Sequence, residues 1–295
     1  MLSRIALLCA FGAAAFAQDA TVKQTEIYGQ KIYYLEAGSG PDVILLHGLG
    51  ADRSSWSATV PALAAKYHVY APDQVGFGQS DKPAMNYRVG TLVDFLDAFY
   101  KKAGITRATL VGNSLGGWVA MDFALAHPDK VNRLVLVDSA GYSPKRTGGP
   151  PPTREMLQAL NPSTIASEKQ LMALVFYNKA FANDQFAEQA FTTHLRKNDG
   201  YTIDRLIDSI LRGEDIVDGR LGAIKAPTLV VWGREDALVP LPAGKALAED
   251  IPGAQSVILD SCGHVPQVEC AAPFNAALLK YLGEAGGAGG TRTAP

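Results

Sequence analysis

Residue types suited to acyl chemistry occur along this chain in an order that lets them meet. Ser114 lies between Gly112 and Gly116 in Thr109-Leu110-Val111-Gly112-Asn113-Ser114-Leu115-Gly116-Gly117. A serine hydroxyl is a weak nucleophile. A tight strand-to-helix turn exposes its oxygen to a base and sets the next backbone N–H beside the developing oxyanion. Glycines on either side leave room for backbone to approach backbone and for the strained serine conformation. The pattern alone is weak, and its setting supports it: strand-like Ala108 to Val111 precedes it, and helix-like Leu115 to Ala126 follows, ending at His127-Pro128.

Such a serine needs a base and an acid to orient that base. His264 follows the apolar run Gln255 to Leu259 on a loop with Gly263, and Asp236 follows Thr228 to Trp232 in Trp232-Gly233-Arg234-Glu235-Asp236. Placed at one sheet edge, His264 takes the serine proton while Asp236 fixes its tautomer and stabilises the imidazolium. Asp138, which also follows a strand, and Glu235 are the competing acids. In His47-Gly48-Leu49-Gly50, after Val43 to Leu46, the glycines turn the backbone so that the N–H of Leu49 joins that of Leu115 in an oxyanion hole. Such a donor is worth about 3 kcal/mol. His68, His127 and His194 read as structural, and Asp73 and Asp81 as holding a turn by side-chain-to-backbone bonds.

The elements that position these groups alternate between β-branched apolar runs and helical stretches, the pattern of a mostly parallel sheet with helices on both faces. Ile27 to Glu36 with Val43 to His47 reads as an opening hairpin and first core strand. A helical piece near Pro61 to Lys66, a strand His68 to Ala71, a helix Val89 to Ala103 and the strand Arg133 to Asp138 continue the series. The alternation stops at residues 141–222, which read as an all-helical cap over the strand ends, where ligands of open α/β sheets bind. Two apolar stripes support it: Ile203, Leu206, Ile207, Ile210 and Leu211, and Phe186, Ala190, Phe191 and Leu195. The linker Gly148-Gly149-Pro150-Pro151-Pro152 leads into this cap, residues 22–140 and 223–283 form the core, and the tail 284–295 reads as disordered.

At 295 residues, with 47% hydrophobic and 19% charged residues and a net charge of −2, the chain suits an enzyme-sized globule with no nucleic-acid partner. Residues 1–17 read as a signal peptide: Arg4, then the apolar run Ile5 to Phe16, closing at Ala15-Phe16-Ala17 with cleavage after Ala17. The expectation is a secreted or periplasmic protein with no stable membrane span in the mature chain. Cys262 and Cys270 are expected to be unpaired buried thiols, because their spacing does not itself bring the Cα atoms within bridging range.

Taken together, HGLG, PDQVGFGQSDKP, GNSLGG, WGREDALVP and CGHVPQVE, in this order, resemble the α/β-hydrolase superfamily from about Val22 to Leu282. The resemblance implies an α/β-hydrolase fold, an eight-stranded sheet with a helical cap, a triad of Ser114, Asp236 and His264, and an oxyanion hole from Leu49 and Leu115. It implies no cofactor and no metal. GNSLGG and CGHVPQVE most resemble hydrolases that cleave carbon–carbon bonds of aromatic ring-fission products. Those enzymes usually carry tryptophan after the histidine, where this chain has Val265, and a cap arginine for the substrate carboxylate, where Ala190 or Phe191 falls. Arg196, about a turn and a half further on, is the remaining cationic candidate. The leading expectation is therefore a serine hydrolase of small to medium carboxylic esters, with a small-molecule ester as its partner. The alternatives are a carbon–carbon hydrolase of dienoates and a catalytically silent binding protein on the same fold.

Overall fold

The computed structural model describes residues 20–143, 146 and 150–284. The proposed leader 1–17, Gly148 and Gly149 of the linker, and residues 285–295 of the tail lie outside them.

The sheet is built from β1 (Thr21–Ile27), β2 (Gln30–Ala37), β3 (Asp42–Leu46), β4 (His68–Pro72), β5 (Ala108–Asn113), β6 (Val131–Val137), β7 (Thr228–Gly233) and β8 (Gln255–Leu259). These eight strands lie in the order β1-β2-β4-β3-β5-β6-β7-β8. Pairings β1–β2 and β2–β4 are antiparallel, and the other five are parallel. The central strands β5 and β7 are buried at every position, as strands covered on both faces require. Alternate residues feed two cores. Ile44, Leu46, Leu110, Leu134, Leu136 and Val230 face one side, and Val43, Leu45, Val111, Val135, Val137 and Val231 face the other.

The first core is covered by α2 (Val89–Ala103), α3 (Leu115–Ala126) and α8 (Leu241–Asp250), through residues such as Leu96, Phe123 and Leu247. The second is covered by α1 (Val60–Ala64) and α10 (Ala271–Gly283), through Leu63, Phe274 and Leu278. Helix α3 is buried nearly all round, as its almost wholly apolar sequence demands.

The opening hairpin differs from its expected bounds. It joins β1 to β2 through Tyr28 and Gly29, with φ of 52° and 75°, the left-handed pair of a two-residue hairpin turn. The outer strand β1 escaped the apolar pattern because it is an edge strand, largely exposed and rich in Lys23, Gln24 and Glu26.

Between β6 and β7 the regular elements among the described residues are helical: α4 (Arg154–Gln158), α5 (Ile165–Val175), α6 (Asp184–Lys197) and α7 (Gly200–Leu211), with short 3-10 turns. In α7 the expected stripe faces inward, with Ile203, Leu206 and Ile207 buried. In α6 it does not. Ala187 is the buried position of that helix and Leu195 is 62% exposed. The α6 stripe is flanked by polar turns and packs mainly along α5, so only part of it is covered.

Candidate active site

The elbow forms where β5 runs into α3. Ser114 takes φ 53°, ψ −117°, a region that costs a non-glycine residue about 1–3 kcal/mol. Its neighbours enforce it. Ser114 N–H donates to the Val137 carbonyl at 3.0 Å, and its own carbonyl accepts from Gly117, Trp118 and Ala140 N–H groups. A Cβ on Gly112 would stand 2.2 Å from the Gly116 carbonyl oxygen, and one on Gly116 would stand 2.2 Å from that of Leu46. The glycines at minus two and plus two are therefore steric requirements of the crossing.

His264 is carried on the loop between β8 and α9 (Pro266–Glu269). Its Nδ1 is 2.7 Å from Asp236 Oδ2, and both side chains are buried. Asp236 Oδ1 accepts from the N–H groups of Leu238 and Val239 at 2.8 and 2.9 Å. The carboxylate is thus clamped in the orientation that meets the imidazole. Asn113, immediately before Ser114, donates Nδ2 to the His264 carbonyl at 3.0 Å and to that of Val137 at 3.1 Å. This amide ties the histidine loop to the elbow. The sequence reading left Asn113 without a role, although an amide ending a buried strand immediately before the serine is the signal that finds it. Among the described residues Ser114 Oγ has no hydrogen-bond partner, and serine–histidine bonds of this kind often tighten only with substrate bound.

The Leu49 turn lies against the elbow, since a Cβ on Gly48 would be 3.3 Å from Ser114 Cβ. His47 sets its orientation. Its Nε2 accepts from Gln74 N–H at 3.0 Å, so Nδ1 carries the proton and donates to the Gly48 carbonyl at 2.8 Å. Burial pushes the His47 pKa down and keeps this tautomer neutral. In a planar trans peptide the N–H points opposite to the carbonyl, so the Leu49 N–H is turned away from the His47 ring. Neither the Leu49 nor the Leu115 N–H has an acceptor among the described residues.

The other acids divide clearly. Glu235 accepts the Cys262 N–H at 2.9 Å, while the histidine pairs with Asp236. Asp73 accepts the N–H groups of Arg53 and Gln79, each at 2.8 Å, and Asp81 accepts that of Lys31 at 2.7 Å, so both hold turns. Asp138 is different: fully buried, it shares the Asp236–His264 cluster, where the donor atoms of all three lie within 4.8 Å of one another.

Two further groups stand apart from expectation. Arg196 is exposed on α6. Its neighbour Lys197 turns inward and reaches Gly50 O and Asp52 Oδ2, each at 2.9 Å. Cys262 and Cys270, expected to be unpaired, form a disulfide with Cα atoms 6.1 Å apart. The short helix α9 folds the intervening loop back, a turn that spacing alone does not reveal. Beside this bridge Glu269 accepts the N–H groups of Gly263 at 2.8 Å and of Tyr177 and Asn178 at 3.2 and 2.5 Å. His264 N–H donates to Val175 O at 2.8 Å. The helical insertion is therefore bonded directly to the loop that carries the histidine.

This sheet order, elbow and acid–histidine pair define an α/β hydrolase. A family model of the alpha/beta hydrolase fold matches residues 41–270, and the chain belongs to that family. It is 32% identical over 262 residues to the 2-hydroxymuconate semialdehyde hydrolase of Pseudomonas sp. (strain CF600), covering 85% of this chain and 89% of that protein. Among solved structures, a meta-cleavage product hydrolase from Pseudomonas fluorescens matches with TM-score 0.78 and 28% identity, over 88% of this chain and 97% of that one. A bacterial membrane phospholipase A matches with TM-score 0.77 and 28% identity, over 89% and 86% respectively. The first two of these likenesses place the chain near the carbon–carbon hydrolase group. No helix among the described residues is long and apolar enough to cross a membrane.

Proposed function

We propose that the protein hydrolyses the carbon–carbon bond beside the keto group of a dienoate ring-fission product, through an acyl-enzyme on Ser114. His264 accepts the proton of Ser114 Oγ as that oxygen attacks the keto carbon, and Asp236 stabilises the imidazolium. The N–H groups of Leu49 and Leu115 receive the oxyanion. Before this attack, the enol proton of the dienoate moves to the carbon beside the keto group, giving an enone. Collapse then breaks the carbon–carbon bond and sends its electron pair through that enone, and the resulting dienolate takes the proton back from His264. Water, deprotonated by the same imidazole, then frees the acyl group as a carboxylic acid and restores Ser114. The observation that supports this reading over the ester expectation is the likeness, along most of the chain, to the 2-hydroxymuconate semialdehyde hydrolase.

A second reading, hydrolysis of small carboxylic esters, rests on the exposure of Arg196 and on Val265 beside the histidine. An ester needs no cap cation, and its alkoxide leaving group needs no conjugated electron sink. Turnover of a chromogenic dienoate against p-nitrophenyl butyrate separates the two. We expect the larger kcat/KM on the dienoate, and a larger value on the ester reverses the order. Ser114→Ala abolishes both activities in a folded protein, while failure of wild type to react with a fluorophosphonate points to a silent binding protein.

Export is part of the same proposal. It is supported by the leader pattern of residues 1–17 and by the Cys262–Cys270 disulfide, a bond that persists in oxidising compartments. Amino-terminal sequencing of the mature protein from a periplasmic or culture fraction is expected to begin at Gln18, and recovery of intact chain in the cytosol overturns it.

A further inference from the structure

The carboxyl group of Asp138 has no part in the reaction as written, yet it occupies the most protected position near it. Asp138 follows β6 directly, is fully buried, and adopts φ 43°. A non-glycine residue held in the left-handed region needs surroundings that over-determine it. Its backbone N–H donates to Val231 O at 3.0 Å, and its Oδ1 accepts the N–H of Gly233 at 2.9 Å. Both bonds aim the side chain across the end of β7, toward Asp236. Its second oxygen, Oδ2, is buried without an ordinary hydrogen-bond partner, although it belongs to the cluster with Asp236 and His264.

Two buried carboxylates at this separation do not both stay ionised, and the hydrogen bonds decide which one does. Asp236 accepts from the N–H groups of Leu238 and Val239 and lies against His264 Nδ1, so three donors favour its anion. Asp138 accepts from Gly233 alone. The proton belongs on Asp138, and a protonated Oδ2 needs only to turn to donate to Asp236. That turn satisfies the orphaned oxygen and removes the repulsion in one step.

We propose that Asp138 is a positioning residue of this site, a neutral carboxylic acid that donates to Asp236 and thereby fixes the carboxylate that orients His264. Burial, and after it the charge of Asp236, pushes the Asp138 pKa well above the usual carboxylate range, in agreement with the geometry. Among the described residues, the charged or titratable groups that cluster with it are Asp236, on the loop after β7, and His264, on the loop after β8. The proposal rests on the reading of Asp236 and His264 as the acid and base of Ser114.

The test pairs infrared spectroscopy with kinetics. In wild type at neutral pH we expect the C=O stretch of a protonated carboxyl, shifted in D2O and absent from the Asp138→Asn spectrum, so that it appears in the wild-type-minus-variant difference. The amide introduced by Asp138→Asn keeps a donor toward Asp236 and an acceptor for Gly233, so this variant should keep kcat within about threefold and leave the pH profile unmoved. Asp138→Ala should lower kcat about tenfold with KM little changed, because Asp236 loses a donor and Gly233 an acceptor. A wild-type spectrum without the protonated-carboxyl band overturns the proposal even if no variant folds. So does an Asp138→Asn enzyme as slow as Asp138→Ala. Asp236→Asn is the separate control. If it turns over like wild type, the triad reading fails, whereas the infrared difference between wild type and Asp138→Asn reports on Asp138 alone.

Discussion

The two halves of the site are held in different ways. On the serine side the position of Ser114 follows from local backbone geometry: β5, α3 and the Leu49 turn cross so closely that glycine alone fits at Gly112 and Gly116. The histidine side has tight crossings too, since a Cβ on Gly233 would stand 2.1 Å from the Gly263 carbonyl oxygen and one on Gly263 would stand 2.5 Å from that of Val175. There, however, the position of the functional side chain also depends on a set of hydrogen bonds. His264 is held by partners far off in the chain: Val175 O from the insertion, Asn113 Nδ2 from the elbow, Asp236 from the loop after β7, and the Glu269 and disulfide ties of its own loop. A nucleophile set by sterics tolerates nothing at a few positions. A base held by several separate bonds weakens in steps as they are removed.

The sharpest way to break that contrast is Gly116→Ala. The added Cβ meets a backbone oxygen, Leu46 O, at 2.2 Å, and a backbone obstacle cannot rotate away. We expect a loss of about 3 kcal/mol or more in chemical denaturation. Misplacement of Ser114 by even an ångström should lower kcat about a hundredfold in whatever folds. Retention of both would show that the elbow is held no more strictly than the histidine loop.

Glu269→Ala strikes the histidine side and should do less. Three backbone N–H groups, those of Gly263, Tyr177 and Asn178, lose their acceptor. Tyr177 and Asn178 are exposed and recover water in exchange, whereas Gly263 is buried and does not, so the expected cost is about 2 kcal/mol. Turnover should fall about tenfold, with slower fluorophosphonate labelling of Ser114. Cys270→Ser should do less to turnover still. Opening this short loop costs about 2 kcal/mol, seen as a lower Tm and as lost sensitivity to reductant, with the elbow untouched. If either variant silences the enzyme as fully as Ser114→Ala, the histidine side is not held in steps.

This division also explains what the sequence disclosed. Ser114, its glycines, and the bounds of α2, α3 and β8 were legible because each depends on neighbours in the chain: apolar periodicity, a helix end before Pro128, a turn that needs glycine. His264 and Asp236 were legible by order, and the structure pairs them. The disulfide, the role of Asn113 and the inward turn of Lys197 were not legible, because each depends on which distant segments meet. The α6 stripe misled for the same reason. An apolar face on a helix records that it can be buried, and Leu195 shows that neighbouring helices need not bury all of it.

Asp138→Asn gives the smallest effect on turnover, and the one that bears most directly on how the histidine side is held. A carboxyl whose folded pKa is raised takes up a proton on folding above the unfolded value of about 4. Over that window the native state binds more protons than the unfolded chain, so stability falls as pH rises until the raised folded pKa is passed. The slope from one such group is at most about 1.4 kcal/mol per pH unit. Asp138→Asn removes it, while the other buried groups titrate equally in both proteins and cancel in the difference. Denaturation of the pair across pH 5 to 8, a window that begins about one unit above the unfolded carboxylate pKa, should show wild type losing stability relative to Asp138→Asn as pH rises. A difference that does not change with pH over this window would mean that Asp138 is ionised in both states, and the histidine would then face two negative charges rather than one.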